Sequence, residues 1–131
     1  MLGDLALYEA HYDRYRPEVT DRWREKDKPG GGMLYDLGSH LIDQALHLFG
    51  NPESVYADVF QQRTGSKVDD YFHIVLAYGK TRVILHSGSL VCKHGPRFQL
   101  HGSQGSFIKY GLDSQEDMLR QGSVPGDRLG E

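Results

Sequence analysis

Cysteine is almost absent from this chain of 131 residues: Cys92 stands alone. No internal disulfide can form, and no cysteine-based zinc site. Lys93 and His94 follow Cys92 directly, and such neighbours lower a thiol pKa, but nothing else marks it as a nucleophile; it reads as a strand thiol. Long apolar runs are missing too. None approaches the roughly 20 residues that span a bilayer, and no basic start followed by an apolar segment marks a secretory leader. The expected compartment is therefore the cytoplasm, with no membrane partner. Basic clusters are also lacking. Lys and Arg number 15 against 18 Asp and Glu, a net charge of −3, so nucleic acid has no electrostatic footprint here.

Several chemical signatures are absent as well. No Gly-x-Gly-x-x-Gly occurs, so there is no dinucleotide fingerprint. Gly30-Gly31-Gly32 is not followed by Lys-Ser/Thr and no strand leads into it, which argues against a phosphate cradle. Gly79-Lys80-Thr81 resembles the end of a P-loop, but Ile74 stands where the earlier glycine must be, and a hairpin turn is the better reading. A Gly-x-Ser-x-Gly elbow is missing too.

What is present fits one folded domain. Charged residues at 25% and hydrophobic ones at 38% exclude both a disordered chain and a membrane protein. Residues 5–16 interleave Tyr, Leu and Ala with charges and read as a strand stopped by Pro17. Residues 20–32 are polar and end in Pro-Gly-Gly-Gly, which reads as a loop. Residues 33–49 carry helical periodicity, closed by Gly50-Asn51-Pro52. Five runs rich in Val, Ile, Tyr and Phe follow, at 55–62, 71–78, 82–91, 97–101 and 106–110. The short glycine-bearing links between them favour antiparallel neighbours. A second helix is expected at 113–121 with Asp113 as N-cap, and a loosely held tail from Gly122 to Glu131. The predicted class is α+β, a mainly antiparallel open β-sheet with helices packed on one face.

The first helix carries the most informative pattern. On a wheel of about 100° per residue, Asp36, His40, Asp43 and His47 fall within a wedge of roughly 60°. Leu34, Leu37, Leu41, Ile42, Ala45, Leu46, Leu48 and Phe49 take the other side and are expected in the core. Three readings of the polar stripe stand side by side. It can be the wet face of an amphipathic helix. Its imidazoles and carboxylates at four-residue spacing can ligate a metal, although His-Glu-x-x-His is missing and no third ligand cluster is evident, so no metal ligands are assigned. Or Asp36 and His40 can hold a hydroxyl and move its proton, since an imidazole titrates near neutral pH. Elsewhere, Asp13-Arg14-Tyr15-Arg16 reads as a charged strand end and Lys93-His94 as a basic turn. His11, His73, His86 and His101 read as ordinary sheet residues.

Taken together, these segments resemble the C-terminal domain of the glucose–fructose oxidoreductase, inositol dehydrogenase and rhizopine-catabolism (Gfo/Idh/MocA) family. The resemblance rests on Gly31-Gly32-Met33-Leu34-Tyr35-Asp36-Leu37-Gly38-Ser39-His40-Leu41-Ile42-Asp43, on Leu48-Phe49-Gly50-Asn51-Pro52, on residues 100–107 and 113–116, and on an opening strand from Tyr8 to Pro17. It covers nearly the whole chain. It implies an NAD(P)-dependent oxidoreductase acting on a sugar, polyol or related carbonyl. His40 matches the imidazole that serves as general acid and base, and Asp36 the carboxylate that binds the reacting hydroxyl. Tyr12, Asp13, Lys93 and His94 fall near positions that touch substrate. The open sheet face is expected to form a homo-oligomer. Residues 1–131 are then a substrate-binding and dimerisation domain, truncated at both ends. The nucleotide-binding domain and the family's Glu-Lys-Pro lysine are missing, so no cofactor-binding residue is assigned, NAD or NADP belongs to the intact enzyme, and this chain alone is expected to be inactive. The rival expectation is a non-catalytic sheet module that only self-associates.

Overall fold

Alternating burial along two central strands builds the sheet. In the computed structural model, which describes residues 1–112 and 114–124, the strands are β1 (Leu5–His11), β2 (Ser54–Phe60), β3 (Tyr71–Tyr78), β4 (Thr81–Gly88), β5 (Phe98–Gly102) and β6 (Ser106–Lys109). They lie in the order β2-β3-β4-β1-β5-β6. Four neighbouring pairs are antiparallel, while β1 and β4 run parallel. Phe72, Ile74 and Leu76 on β3, and Val83, Leu85 and Ser87 on β4, turn one way and are buried. Residues between them turn to the opposite face, as the pleat requires.

Helix α1 (Ser39–Phe49) and the π-helical turn Leu34–Gly38 cover the buried face. Leu37, Leu41 and Ala45 join Tyr8, Ala10, Phe72 and Leu85 in one core, with Leu34, Ile42 and Phe49 packed against it. Each large apolar side chain buried there stabilises the fold by about 1.5–3 kcal/mol. The α+β expectation, an open and mainly antiparallel sheet, holds. Among the described residues, no helix is long and apolar enough to cross a membrane.

Several boundaries differ from the sequence reading, for identifiable reasons. β1 ends at His11 rather than Arg16. Beyond it, Tyr12, Arg14 and Arg16 donate their N–H groups to the carbonyls of His86, Gly88 and Ser89, so the chain leaves β5 and rides along the far end of β4. Only the bridge between Tyr15 and Leu90 remains there. β2 stops at Phe60 because the next residues turn to Asp70, whose carboxylate accepts the Gln62 N–H at 2.6 Å. β4 closes at Gly88, not Val91. The helix opens with a π turn, in which the Ser39 N–H reaches back to the Leu34 carbonyl.

Leu46 and Leu48, expected in the core, are 39% and 59% exposed. A single sheet face lies beneath α1, so only a narrow stripe of the helix is covered. Leu48 instead walls a shallow groove with Tyr8, Phe98, Leu100 and Phe107. The second helix, α2, spans Gln115–Arg120. Asp113 and residues 125–131, where a cap and most of the tail were expected, lie outside the described residues.

Candidate active site

The start of the first helix is set by close packing that only glycine permits. Gly32 has φ +95°, and a Cβ there would sit on the Asp69 carboxylate. Asp69 can therefore reach the helix start: its carbonyl accepts the Met33 N–H at 2.9 Å and its carboxylate accepts the Leu34 N–H at 2.6 Å. These bonds satisfy backbone donors that an open helix end leaves unpaired. Gly38 lets the π turn settle on Phe72, since a Cβ there would lie 2.8 Å from Leu34 Cδ1 and 3.4 Å from the Phe72 ring. Gly32, the last of the triple glycine, thus seats the helix.

Asp36 projects from this seat into a cleft rich in arginine. Its carboxylate meets Arg24 Nε at 2.9 Å and Arg14 Nη1 at 3.8 Å, and it is 19% exposed. Burial and the neighbouring Arg16 lower the pKa of Arg14, while Asp36 opposes that shift. His40 follows one turn later. It is exposed and makes no hydrogen bond or ion pair among the described residues. Asp43 and His47 are exposed too. The four residues of the stripe do not gather into a metal-binding group; among the described residues only His11, Asp13 and His86 do.

The loop that carries Arg24 is tied down in turn by a buried ion pair. Arg63 Nε donates to the Asp70 carboxylate at 2.7 Å, with side chains 3% and 2% exposed. The same guanidinium binds the carbonyls of Arg16 and Glu18 and the Glu25 carboxylate at 3.1 Å. Arg63 therefore ties the loop that carries Trp23 and Arg24 to the β2–β3 connection. For Glu25, burial favours the neutral acid. Hydrogen bonds from Thr20 and Arg63 outweigh it and hold the carboxyl below its ordinary value.

A second cleft lies beside the first. Tyr12, Asp13, Arg14, His94, Pro96 and Arg97 line it. The Arg97 guanidinium stacks on the Tyr12 ring at 4.5 Å and donates to the His11 carbonyl at 2.7 Å. Burial lowers the pKa of Arg97, against opposing pulls from Tyr12, Tyr8 and Asp13. Arg14 belongs to the walls of both clefts. Lys93 is exposed and lines neither. Sequence reasoning passed over Arg14, Arg24, Arg63, Asp70 and Glu25. The dense charge of Asp13-Arg14-Tyr15-Arg16 was the one local hint.

Three histidines read as ordinary sheet residues meet in one row. Strand register sets His11 opposite His86 and His73 opposite His86 on the other side. Asp13 joins them, with its two carboxylate oxygens 3.4 Å from His11 Nδ1 and 3.3 Å from His86 Nε2. Burial pushes the His86 pKa down; Asp13 pulls it up, while His11 and His73 add to the lowering. His101 stays apart, bonded to Ser106.

Comparison with known proteins agrees with this architecture. Residues 1–130 match the family described as "Oxidoreductase family, C-terminal alpha/beta domain". The chain is 56% identical over 126 residues to scyllo-inositol 2-dehydrogenase (NADP(+)) of Bacillus subtilis, a match covering 96% of the chain and 35% of that protein. A solved oxidoreductase from Bacillus cereus shares 39% identity with a TM-score of 0.78, over 99% of the chain and 42% of that protein. An NAD-binding protein from Listeria innocua shares 28% identity with a TM-score of 0.72, over 82% of the chain and 31% of that protein. The chain thus spans about a third of the length of the curated relative it matches.

Proposed function

The chain belongs to the oxidoreductase family's C-terminal alpha/beta domain, the Gfo/Idh/MocA group, and on that premise we propose that it is the substrate-binding part of an NAD(P)-dependent oxidoreductase acting on a sugar, polyol or related carbonyl. The observation that carries the reading is the helix start. An exposed imidazole stands one turn beyond a carboxylate that Arg24 orients from 2.9 Å. The Bacillus subtilis relative is named for oxidising an inositol with NADP(+), which favours a polyol.

No Gly-x-Gly-x-x-Gly occurs in the sequence, and the strands form an open sheet. Nicotinamide supplies hydride transfer when bound, and its binding belongs to a nucleotide-binding domain. This chain's residues handle the proton. Asp36 accepts a hydrogen bond from the substrate hydroxyl and sets its position. His40 Nδ1 or Nε2 takes the hydroxyl proton during oxidation and returns it during reduction. Tyr12, Asp13 and His94, on the wall of the adjoining cleft, contact the rest of the substrate. Replacing His40 by Ala, in a dehydrogenase that joins this domain to a nucleotide-binding domain, should lower turnover about 10²–10⁴-fold. Undiminished turnover would overturn the reading.

The uncovered sheet face supports self-association as the domain's second task. Register places Tyr56, Val75, Ile84, Glu9, Gln99 and Ile108 in one row across it. Tyr56 and Ile108 at the two ends are 63% and 47% exposed. A face of this kind suits a second copy of the chain. Sedimentation at several concentrations should show a dimer, and a strict monomer would exclude it. A module that only self-associates would show the dimer and no effect of changing His40.

A further inference from the structure

We infer that His11, Asp13 and His86 form a binding site for a zinc-like divalent cation, separate from Asp36 and His40. The three residues each offer a ligand atom, all within 4.8 Å of one another. Asp13 turns one carboxylate oxygen to each imidazole, Oδ2 at 3.4 Å from His11 Nδ1 and Oδ1 at 3.3 Å from His86 Nε2, so the carboxylate lies between the two rings. Imidazole and carboxylate are also ligand types that zinc accepts.

The cluster's own hydrogen bonding leaves room for a cation. Asp13 is 9% exposed, and its Oδ1, although 3.3 Å from His86 Nε2, makes no hydrogen bond and is shielded from solvent. A buried carboxylate oxygen without a partner is costly, and groups left this way call for a specific explanation. A cation between Asp13 and the two imidazoles supplies one.

His86 has an outer partner where a metal-binding histidine has one. His86 presents Nε2 to Asp13 while its Nδ1 lies 3.4 Å from His73 Nδ1. His11 presents Nδ1 to Asp13 while its Nε2 lies 3.8 Å from the Glu9 carboxylate. Such contacts fix the tautomer and the ring plane of a ligating histidine. Burial also favours the neutral imidazole of His86, the form that binds metal. The ion would clamp the end of β1 to the end of β4, where the chain leaves the regular ladder.

The test uses the 131-residue chain, stripped with chelator and dialysed against Zn²⁺. Elemental analysis should then find about one zinc per chain. Asp13→Asn and His86→Gln should lose it, and His47→Gln, on the exposed helix face, should keep it. His73→Gln removes only an outer partner and should weaken binding about 10–100-fold. Co²⁺ in place of zinc should give the visible absorption of a tetrahedral site, lost in the same variants. If Asp13→Asn fails to fold by circular dichroism, His11→Gln takes its place. No zinc on the wild-type chain would overturn the proposal, and so would zinc retained in both Asp13→Asn and His86→Gln.

Discussion

Two arginine–carboxylate pairs in this domain have nearly the same length and opposite surroundings. Arg63 and Asp70 meet at 2.7 Å with both side chains almost fully buried; Arg24 and Asp36 meet at 2.9 Å with Arg24 54% exposed. The buried pair holds two loops together through added bonds to Glu25 and to the carbonyls of Arg16 and Glu18. The exposed pair leaves Asp36 facing a cleft, four residues before His40 in the chain. Burial, rather than distance, decides which pair carries stability, because a charge stripped of water depends on its partner far more than a wet one. The two are also linked: the Arg63 network holds the loop from which Arg24 reaches Asp36.

Breaking the buried pair should give the largest effect. Arg63→Met leaves Asp70 charged and buried, which should cost about 3–5 kcal/mol, read from denaturant midpoints. The double variant Arg63→Met with Asp70→Leu should not restore stability. The Gln62 and Arg63 N–H groups both donate to Asp70, and they would lose their acceptor. Full recovery would show that the pair, and not its backbone bonds, is what matters.

A smaller effect should appear in acid. The folded-state pKa of Glu25 lies below its ordinary value, so its contribution is complete above the ordinary carboxylate range and is lost as pH falls through the lower, folded value. Thermal melts should therefore show a loss of stability below about pH 4, and Glu25→Gln should flatten that part of the profile. An identical acid slope in the variant would assign it to other carboxylates.

The smallest stability change belongs to the exposed pair. Arg24→Gln should shift unfolding by less than about 1 kcal/mol. In a dehydrogenase that carries the domain, the same change should lower turnover, because Asp36 loses its orienting partner. A large stability loss with unchanged turnover would reverse the roles assigned to the two pairs.

The fold was legible where burial repeats at short range. The run at 71–78 coincides with β3 because alternate residues meet the core along its whole length. The Asp36–His40 spacing was visible for the same reason, since one helical turn joins them. Strand ends were less legible. Tyr12 to Arg16 keep tyrosines among charges after the ladder with β5 has ended, and only their hydrogen bonds to β4 show the departure. The exposure of Leu46 and Leu48 followed from how much sheet lies under α1, which a helical wheel cannot contain.

The sequence by itself determined the α+β class, the helix that carries Asp36 and His40, and the family resemblance, because local periodicity and contiguous motifs record these directly. Tertiary structure alone decided the parallel pairing of β1 with β4, the arginines around Asp36 and the meeting of His11, Asp13 and His86. Those residues stand as many as 75 positions apart, and only strand order and register bring them within a few ångströms.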